Sequence, residues 1–265
     1  MTKITISELY VYPVKSCREI KLVSSFVGNF GLDNDRRWMV VDENGVMLTQ
    51  RKISETCLIQ VELNDFGLVL KHSQMENLTI KNAPTTNKII VKVWRDECQA
   101  YDAGEEAAKW LSKALSVKCR LVYFPEDEFR QVDLDYANKG EKTAFSDGFP
   151  LLLISEASLN DLNDRLSMPI TIERFRPNIV VSGCQPFAED NWKKIRINDI
   201  TFRLVKPCSR CVIPSINIET AIREEEPIKT LSTYRKRENK IFFGQNVIAN
   251  SPGEIDVGMT IEVLE

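Results

Sequence analysis

The chain has 265 residues, of which 43% are apolar and 28% charged, and its net charge is −3. This balance is typical of an ordinary globular protein that is long enough to bury a sizeable core. The weakly acidic charge excludes an overall basic surface for nucleic acid, and no apolar run approaches the ~20 residues of a membrane span, so neither partner is predicted. The first residues begin directly on strand-like sequence without a secretory signal pattern, which favours a cytoplasmic location.

The first half of the chain is predicted to be mainly β. Alternating apolar and polar residues over 4–12 are typical of a half-buried strand, which Pro13 ends. Further short runs separated by Gly, Asn and Asp turns predict strands at 20–28, 37–41, 46–49, 58–63, 67–72, 78–81 and 88–94. This spacing favours a sheet or barrel over βαβ units. Helical spacing of apolar residues over 103–115 then predicts a helix, and a strand follows at 119–124.

The second half follows the polar stretch 125–145, which is the predicted domain boundary or lid. The elements predicted after it are a buried strand at 150–155, a helix that starts at Ser155, a strand entered from 174–182, a hairpin over 195–205, a cysteine-bearing loop, a short helix near 228–235 and two terminal strands joined by a Pro-Gly turn. We therefore expect a mainly β, α+β fold with domains at 1–124 and 125–265.

Seven cysteines occur at irregular spacings, which favours reduced thiols over a disulfide framework. Cys57, Cys98 and Cys119 stand in apolar or strand-like settings and are predicted to be small buried hydrophobes. The single histidine, His72, lies in a polar hairpin-like stretch and is predicted to be a solvated loop residue. One histidine cannot supply a His-rich zinc site.

Cys208 and Cys211 form a CxxC pair with two cations beside it, Lys206 and Arg210. A structural zinc site needs four ligands, for which Cys17 and Cys184 are the spare candidates. A thioredoxin-like redox pair needs a βαβ context that is not predicted here. A purely structural pair, or a single thiolate that holds a soft metal next to a cation-bound anion, also fits the spacing. The spacing alone leaves these four alternatives open.

Three loops place cations at the ends of predicted strands: Lys15-Ser16, Arg36-Arg37 and Arg176-Pro177-Asn178. Taken singly, each charge is typical of a solvated loop residue. Strand-end loops are also where binding sites are usually built, so together these loops predict an anion pocket.

Seven motifs spread over nearly the whole chain resemble the MOSC-domain family, the molybdenum cofactor sulfurase C-terminal domain family. In particular, they resemble the subgroup of mitochondrial amidoxime-reducing components and their bacterial relatives. The motifs are YPVKSC (12–17), GLDNDRRW (31–38), FRPNIVVSG (175–183), AEDNW (188–192), KPCSRC (206–211), LSTYR (231–235) and FGQN (243–246). The resemblance implies an N-terminal β-barrel-like MOSC_N region at 1–124, packed on a MOSC β-barrel domain with a few helices at 125–265.

The resemblance also implies roles for individual residues. Cys211 matches the protein thiolate on molybdenum and is thus the implied metal ligand and catalytic residue, while Asp147 is an implied proton-handling group. Residues that match the family's cofactor contacts are Lys15, Ser16, Arg36, Gly148, Phe149, Arg176, Asn178, Ser209, Arg210 and Asn246. Cys208 and Cys184 stand at common family positions and receive no ligand role.

The implied function is a molybdenum-cofactor (Mo-molybdopterin) reductase that acts on small N-hydroxylated compounds. The sequence has no C-x₄-C-x₂-C run for a plant-type iron–sulfur domain, so a separate electron donor is expected, either a flavin reductase or an iron–sulfur or haem protein. One alternative is a non-catalytic carrier of molybdenum cofactor, or of sulfur as a Cys211 persulfide. Another is a structural β-protein with buried thiols, which leaves the motif series unexplained.

Overall fold

A computed structural model describes residues 3–81 and 83–265, which form nineteen strands and three α-helices. The strands are β1 (Thr5–Val11), β2 (Ile20–Leu22), β3 (Ser24–Gly28), β4 (Gly31–Leu32), β5 (Trp38–Val41), β6 (Gln60–Asn64), β7 (Gly67–His72), β8 (Met75–Ile80), β9 (Lys88–Val93), β10 (Asp96–Asp102), β11 (Arg120–Tyr123), β12 (Leu151–Ser155), β13 (Ile179–Ser182), β14 (Lys194–Ile197), β15 (Ile200–Arg210), β16 (Lys236–Arg237), β17 (Lys240–Ala249), β18 (Gly253–Asp256) and β19 (Ile261–Val263). The helices are α1 (Glu105–Leu115), α2 (Glu156–Asn163) and α3 (Ile228–Tyr234), with 3₁₀ turns at Ser54–Leu58, Ile172–Phe175, Ala188–Asn191 and Ile213–Ser215. The predicted mainly β fold with a few helices is confirmed.

The largest sheet joins both halves of the chain. Its strands run in the order β19-β14-β15-β17-β12-β13-β1-β2, and β16 pairs with β17. The first strand, β1, pairs antiparallel with β13, with Thr5 opposite Ser182 and Leu9 opposite Ile179. β12 and β13 are parallel. The start of the chain therefore lies inside a sheet built mostly from the second half.

Continuous apolar sequence explains why β12 is central. All five of its residues are buried, as expected for a strand covered on both faces. Leu153 packs with Ile179, Phe202 and Val247 in one core. Burying each such side chain contributes about 1.5–3 kcal/mol, so this core fixes the order of the strands around the site described below.

The first half supplies smaller sheets, in the orders β5-β11-β10-β9 and β6-β7-β8. Helix α1 packs Ala107, Leu111 and Leu115 into the same core as Leu70 and Leu121, which accounts for the helical spacing seen in its sequence.

Three predicted elements were wrong in detail. The single strand predicted at 20–28 is two strands in different sheets, because β2 pairs with β1 and β3 pairs with β18. Residues 46–49 make only isolated bridges. The terminal stretch holds three strands and not two, and the two that flank the Pro-Gly turn do not pair with each other, because β17 pairs with β12 and β15 whereas β18 pairs with β3. Apolar periodicity identifies a strand without specifying its partner.

The predicted cysteine loop also requires correction. Residues up to Arg210 continue β15 and pair with β17, with register shifts between Leu204 and Lys206 and between Pro207 and Ser209. Pro207 lies at such an irregularity, where its missing N–H disturbs the ladder least. Cys211 is the first residue beyond the strand, so a long, bent strand holds the cysteine pair in place.

Within the described ranges, no helix is long and apolar enough to cross a membrane. The domain boundary at 124/125 stays a prediction.

Candidate functional site

One cavity brings together every residue that the sequence assigned to a site. Its volume is about 150 Å³, and it is open to solvent on one side. Its lining includes Lys15, Ser16, Arg36, Asp147, Gly148, Phe149, Arg176, Asn178, Ser209, Arg210, Cys211 and Asn246. The roles of these residues stay predictions.

Strand order explains why distant segments meet here. The chain leaves β1 at Val11, enters β13 at Ile179 and enters β12 at Leu151, and these three strands are neighbours in the large sheet. The last residues of β15 pair beside them along β17. Loops from 15–16, 36, 147–149 and 176–178 therefore converge on the end of β15.

The cavity is strongly cationic. Six basic side chains line it, namely Lys15, Arg36, Arg51, Arg174, Arg176 and Arg210, whereas Asp147 is the only lining carboxylate among the described residues. Arg174 pairs with Glu224 at 2.9 Å, and Arg36 pairs with the buried Asp35 at 2.5 Å. The remaining excess of positive charge is of the kind that binds an anionic ligand.

Arg176 and Arg210 carry the unpaired charge. In the described part of the chain, neither has a carboxylate within ion-pair distance. Arg176 Nη1 donates to the Cys17 carbonyl at 2.8 Å, and Arg210 donates to the carbonyls of Phe243 and Phe175 at 2.8 and 2.9 Å. The Nη2 group of each is buried without a partner there. Burial lowers the pKa of Arg176, as expected for a cation that lacks a counter-charge.

Two further lining residues also hold buried polar atoms without a partner in the described structure, Nη1 of Arg51 and Oγ of Ser146. Buried polar groups are normally hydrogen-bonded, and an unmade bond costs about 1–3 kcal/mol. Four such atoms on one cavity indicate a ligand that accepts several hydrogen bonds.

Cys211 presents its sulfur to two N–H donors. Sγ accepts from Arg51 Nη2 at 3.2 Å and from the backbone N–H of Ile213 at 3.5 Å. Cys208 differs, because burial raises the pKa of its thiol although Arg210 opposes that effect. The two cysteines of the pair are therefore not equivalent. Across the described ranges, no group of three or more His, Cys, Asp or Glu side chains is arranged to hold a metal ion.

Asp147 links the cations at the mouth of the cavity. Its carboxylate accepts from Lys15 Nζ at 2.5 Å, from Arg51 Nη2 at 3.3 Å and from Trp94 Nε1 at 3.2 Å. Burial works against its ionisation, but the charges of Lys15 and Arg51 outweigh that effect, so the pKa of Asp147 lies well below its usual range. Lys15 is buried and donates a second bond to the Phe145 carbonyl at 2.7 Å. Burial lowers the pKa of Lys15 despite the neighbouring Asp147.

Asn178 already uses its amide within the protein. Its Oδ1 accepts from Arg36 Nη1 at 3.1 Å and from the Leu152 N–H at 3.2 Å, and its Nδ2 donates to the Tyr10 carbonyl at 3.1 Å. Asn178 thus fixes Arg36 and the start of β12 from inside the wall of the cavity.

Backbone strain is concentrated in the lining. Ser16, Arg36 and Arg176 have φ values of 73°, 47° and 57°, in the left-handed region that disfavours side chains. Strained residues of this kind cluster at functional sites. The remaining predicted residues are less constrained: Asn246 donates to the Lys206 carbonyl at 3.2 Å, Ser209 is exposed, and Gly148 and Phe149 continue the loop from Asp147.

The structure adds Arg51, Arg174 and Trp94 to the site. Arg51 and Trp94 lie in the first half, on a loop and on the tip of a hairpin. The sequence shows only a cation pair, Arg51-Lys52, at the first position and a strand residue at the second. Their importance follows from contacts with Cys211 and Asp147 that no spacing reveals. Arg174 stands two residues before Arg176, immediately before the FRPNIVVSG motif that leads into β13, so its position next to a predicted site loop is visible in the sequence.

The other cysteines lie in the cores. Burial raises the pKa of Cys57 to about 11 and that of Cys98 to about 12, and it also raises that of Cys119, which confirms the prediction of small buried hydrophobes. Cys17 is likewise buried, whereas Cys184 packs on the core of the large sheet. His72 is a half-buried residue at the end of β7 and not a loop residue, and it does not line the cavity.

Family models match most of the chain. The MOSC N-terminal beta barrel domain matches residues 3–118, and the MOSC domain matches residues 140–262. The chain belongs to the MOSC family.

Curated relatives of this MOSC protein include mitochondrial amidoxime-reducing component 1 from Mus musculus, which is 35% identical over 98% of the chain and 82% of the relative. The Homo sapiens protein of the same name is 34% identical over 98% of the chain and 83% of the relative. Molybdenum cofactor sulfurase from Oryza sativa subsp. japonica is 32% identical over 92% of the chain but only 32% of the relative.

Proposed function

We propose that this MOSC protein binds a molybdenum cofactor in the cavity and reduces small N-hydroxylated compounds, taking electrons from a separate donor protein. The observation that carries the proposal is the meeting of the Cys211 thiol with buried guanidinium N–H groups that lack a protein partner. Thiolate sulfur suits soft transition metals, and guanidinium matches phosphate in shape and charge. The names of the relatives, amidoxime-reducing component and molybdenum cofactor sulfurase, support the same chemistry.

The lining fits such a group. Arg176 and Arg210 would hold its phosphate through their free Nη2 groups, Ser146 and Ser209 offer hydroxyls to its polar ring system, and Cys211 offers the sulfur ligand. When bound, the cofactor supplies a two-electron redox change at its metal.

The chain's own residues organise the rest of the reaction. Reduction of an N–OH group breaks the N–O bond and consumes two electrons and two protons, with water as the second product. Asp147 is ionised at neutral pH, and its low pKa makes it a weak base, so it would hold the Lys15 ammonium in place and not carry protons itself. Lys15 beside it uses two of its three N–H donors in hydrogen bonds to Phe145 and Asp147. The third N–H would supply a proton to the reaction. Lys15 would therefore be the proton donor at the cavity mouth, and Asp147 the group that holds it in place.

The direct test is to express the chain in a host that makes molybdenum cofactor and to measure molybdenum and pterin per chain. Conversion of benzamidoxime to benzamidine is then followed with a reduced viologen dye as the electron source. Arg176→Met should lower cofactor retention, because losing a charge-assisted hydrogen bond weakens binding roughly 10- to 150-fold. Arg196→Met, which changes an exposed arginine on β14, is the matched control.

Cofactor-replete protein that leaves benzamidoxime intact would refute the reductase activity. Retention of metal and pterin without turnover would instead favour the carrier function. The similarity to a molybdenum cofactor sulfurase over part of that enzyme's length supports this second candidate.

A further inference from the structure

The hairpin between β9 and β10 contains an unusual turn. Val93 pairs with Asp96, so Trp94 and Arg95 form a two-residue connection. Trp94 has φ 59°, at the first turn position, where such hairpins normally carry glycine. A bulky aromatic residue in this conformation is strained, and nothing in the turn itself calls for it.

The ring of Trp94 reaches the cavity residues from outside. It is 47% exposed, yet the Arg51 guanidinium lies 4.3 Å from its ring centroid. Its Nε1 donates to Asp147 Oδ1 at 3.2 Å. One side chain thus contacts Arg51, which donates to the Cys211 thiol, and Asp147, which accepts from Arg51.

A second contact ties the same turn to the Asp147 loop. Arg130 is buried, and its Nε donates to Asp96 at 2.7 Å. Its remaining N–H groups donate to the carbonyls of Ala144, Ser146 and Asp147 at 2.8, 2.6 and 3.2 Å. The hairpin tip and the loop therefore have a fixed relative position, which makes the contact from Trp94 a defined one.

Arg51 needs such a restraint. Its Nη2 is shared between Cys211 Sγ at 3.2 Å, a weak acceptor, and Asp147 Oδ2 at 3.3 Å, a long bond for a charged pair. Arginine loses considerable rotamer freedom when it is held in one geometry, so two weak bonds alone hold it poorly. Stacking on an indole face supplies the missing constraint.

We propose that Trp94 is a positioning residue, which holds Asp147 and Arg51 in place and so fixes the Arg51 guanidinium against the Cys211 sulfur, at the expense of strain in its own turn. The relevance of this arrangement to catalysis rests on the proposed reductase function, but the arrangement itself is testable without cofactor.

Trp94→Gly relieves the strain in the turn and also removes the indole ring. Unfolding then reports on the strain, and alkylation of Cys211 reports on the positioning of Arg51. Asn198→Gly is the matched control: Asn198 is the first residue of the two-residue β14–β15 turn, has φ 51°, and does not line the cavity. In cofactor-free protein, the unfolding midpoint of both variants should equal or exceed that of the wild type. A fall of the Trp94→Gly midpoint by several degrees, without a fall for Asn198→Gly, would show a merely structural role and overturn the proposal.

The second readout is alkylation of Cys211 by iodoacetamide at one fixed pH, followed by peptide mapping. Trp94→Gly and Arg51→Ala should change the rate in the same direction, by about threefold or more, and the double variant should add nothing to Arg51→Ala. Trp94→Phe, which keeps a ring for Arg51 and loses the N–H, should show a smaller change. A wild-type rate in Trp94→Gly, or additive effects in the double variant, would overturn the proposal.

In protein that has been loaded with molybdenum cofactor, the molybdenum and pterin content of Trp94→Gly should stay at the wild-type level. Its kcat/KM for benzamidoxime should fall by about threefold or more. If wild-type loaded protein has no activity, the proposed function fails, whereas the alkylation and unfolding results still decide the role of Trp94.

Discussion

The pair formed by Lys15 and Asp147 predicts an asymmetric response to mutation. The Lys15 side chain is 7% exposed and that of Asp147 is 53% exposed. Asp147→Asn therefore leaves a buried ammonium without its counter-charge, whereas Lys15→Met leaves a carboxylate that water can solvate. Stranding a fully buried charge costs about 3–5 kcal/mol, and the exposure of Asp147 reduces the expected loss to about 1–2 kcal/mol. Lys15→Met should cost about 1 kcal/mol or less, since it removes the desolvated charge itself.

Urea unfolding of the cofactor-free variants at pH 7 measures both values, and the double variant should lose less than the sum of the two single changes. The pKa of Asp147 is lower in the folded than in the unfolded chain, so its contribution is present above its unfolded pKa of about 4 and is lost as the pH falls below that value. The gap between wild type and Asp147→Asn should thus be constant from pH 8 to about pH 5 and then shrink. A Lys15→Met protein that is as unstable as Asp147→Asn would contradict this reasoning.

Two further predictions concern backbone and thiols. Gly244 has φ 80°, and a Cβ added there would lie 2.6 Å from Ile154 Cγ1, so Gly244→Ala should lower the unfolding free energy by about 2–4 kcal/mol. Gly258 has a similar φ of 89° but lies in open space, so Gly258→Ala should lower it by only about 1 kcal/mol. Equal losses in urea unfolding would exclude packing around β17 as the cause. Iodoacetamide at pH 8 should label Cys211 well before Cys17 or Cys57, because burial raises the pKa of those two thiols to about 12 and about 11. Peptide mapping over time measures the order, and early labelling of Cys17 would show that its core opens readily.

The residues predicted for the site converge on one cavity because they occur in ordered motifs at strand ends, while their roles stay predictions. Lys15, Arg176 and Arg210 stand at such ends, and their convergence follows once β1, β13 and β15 share a sheet. The same reasoning placed Cys208 and Cys211 on a loop, since a proline and two cysteines obscure the alternation of a strand. Pairing with β17 through two register shifts overrides that local signal.

Arg51 and Trp94 could not be predicted for a different reason. Their roles arise from contacts across about 50 to 160 positions of sequence, between Trp94 and Asp147 and between Arg51 and Cys211. A lone arginine or tryptophan at a turn has no periodicity, and its function exists only after the two halves of the chain meet. Strain in the Trp94 turn marks the residue as a functional candidate, but this strain is visible only in the folded backbone.

The insertion of β1 between β13 and β2 has a consequence for biosynthesis. Thr5 is synthesised long before its partner Ser182, and Met259, whose carbonyl accepts from the Ile6 N–H, follows later still. The nascent chain must carry an unpaired apolar strand throughout this time, which is the condition under which chaperones engage. The lining of the cavity is complete only once Asn246 has been synthesised, so a ligand that needs the whole cavity binds only after both halves of this sequence exist.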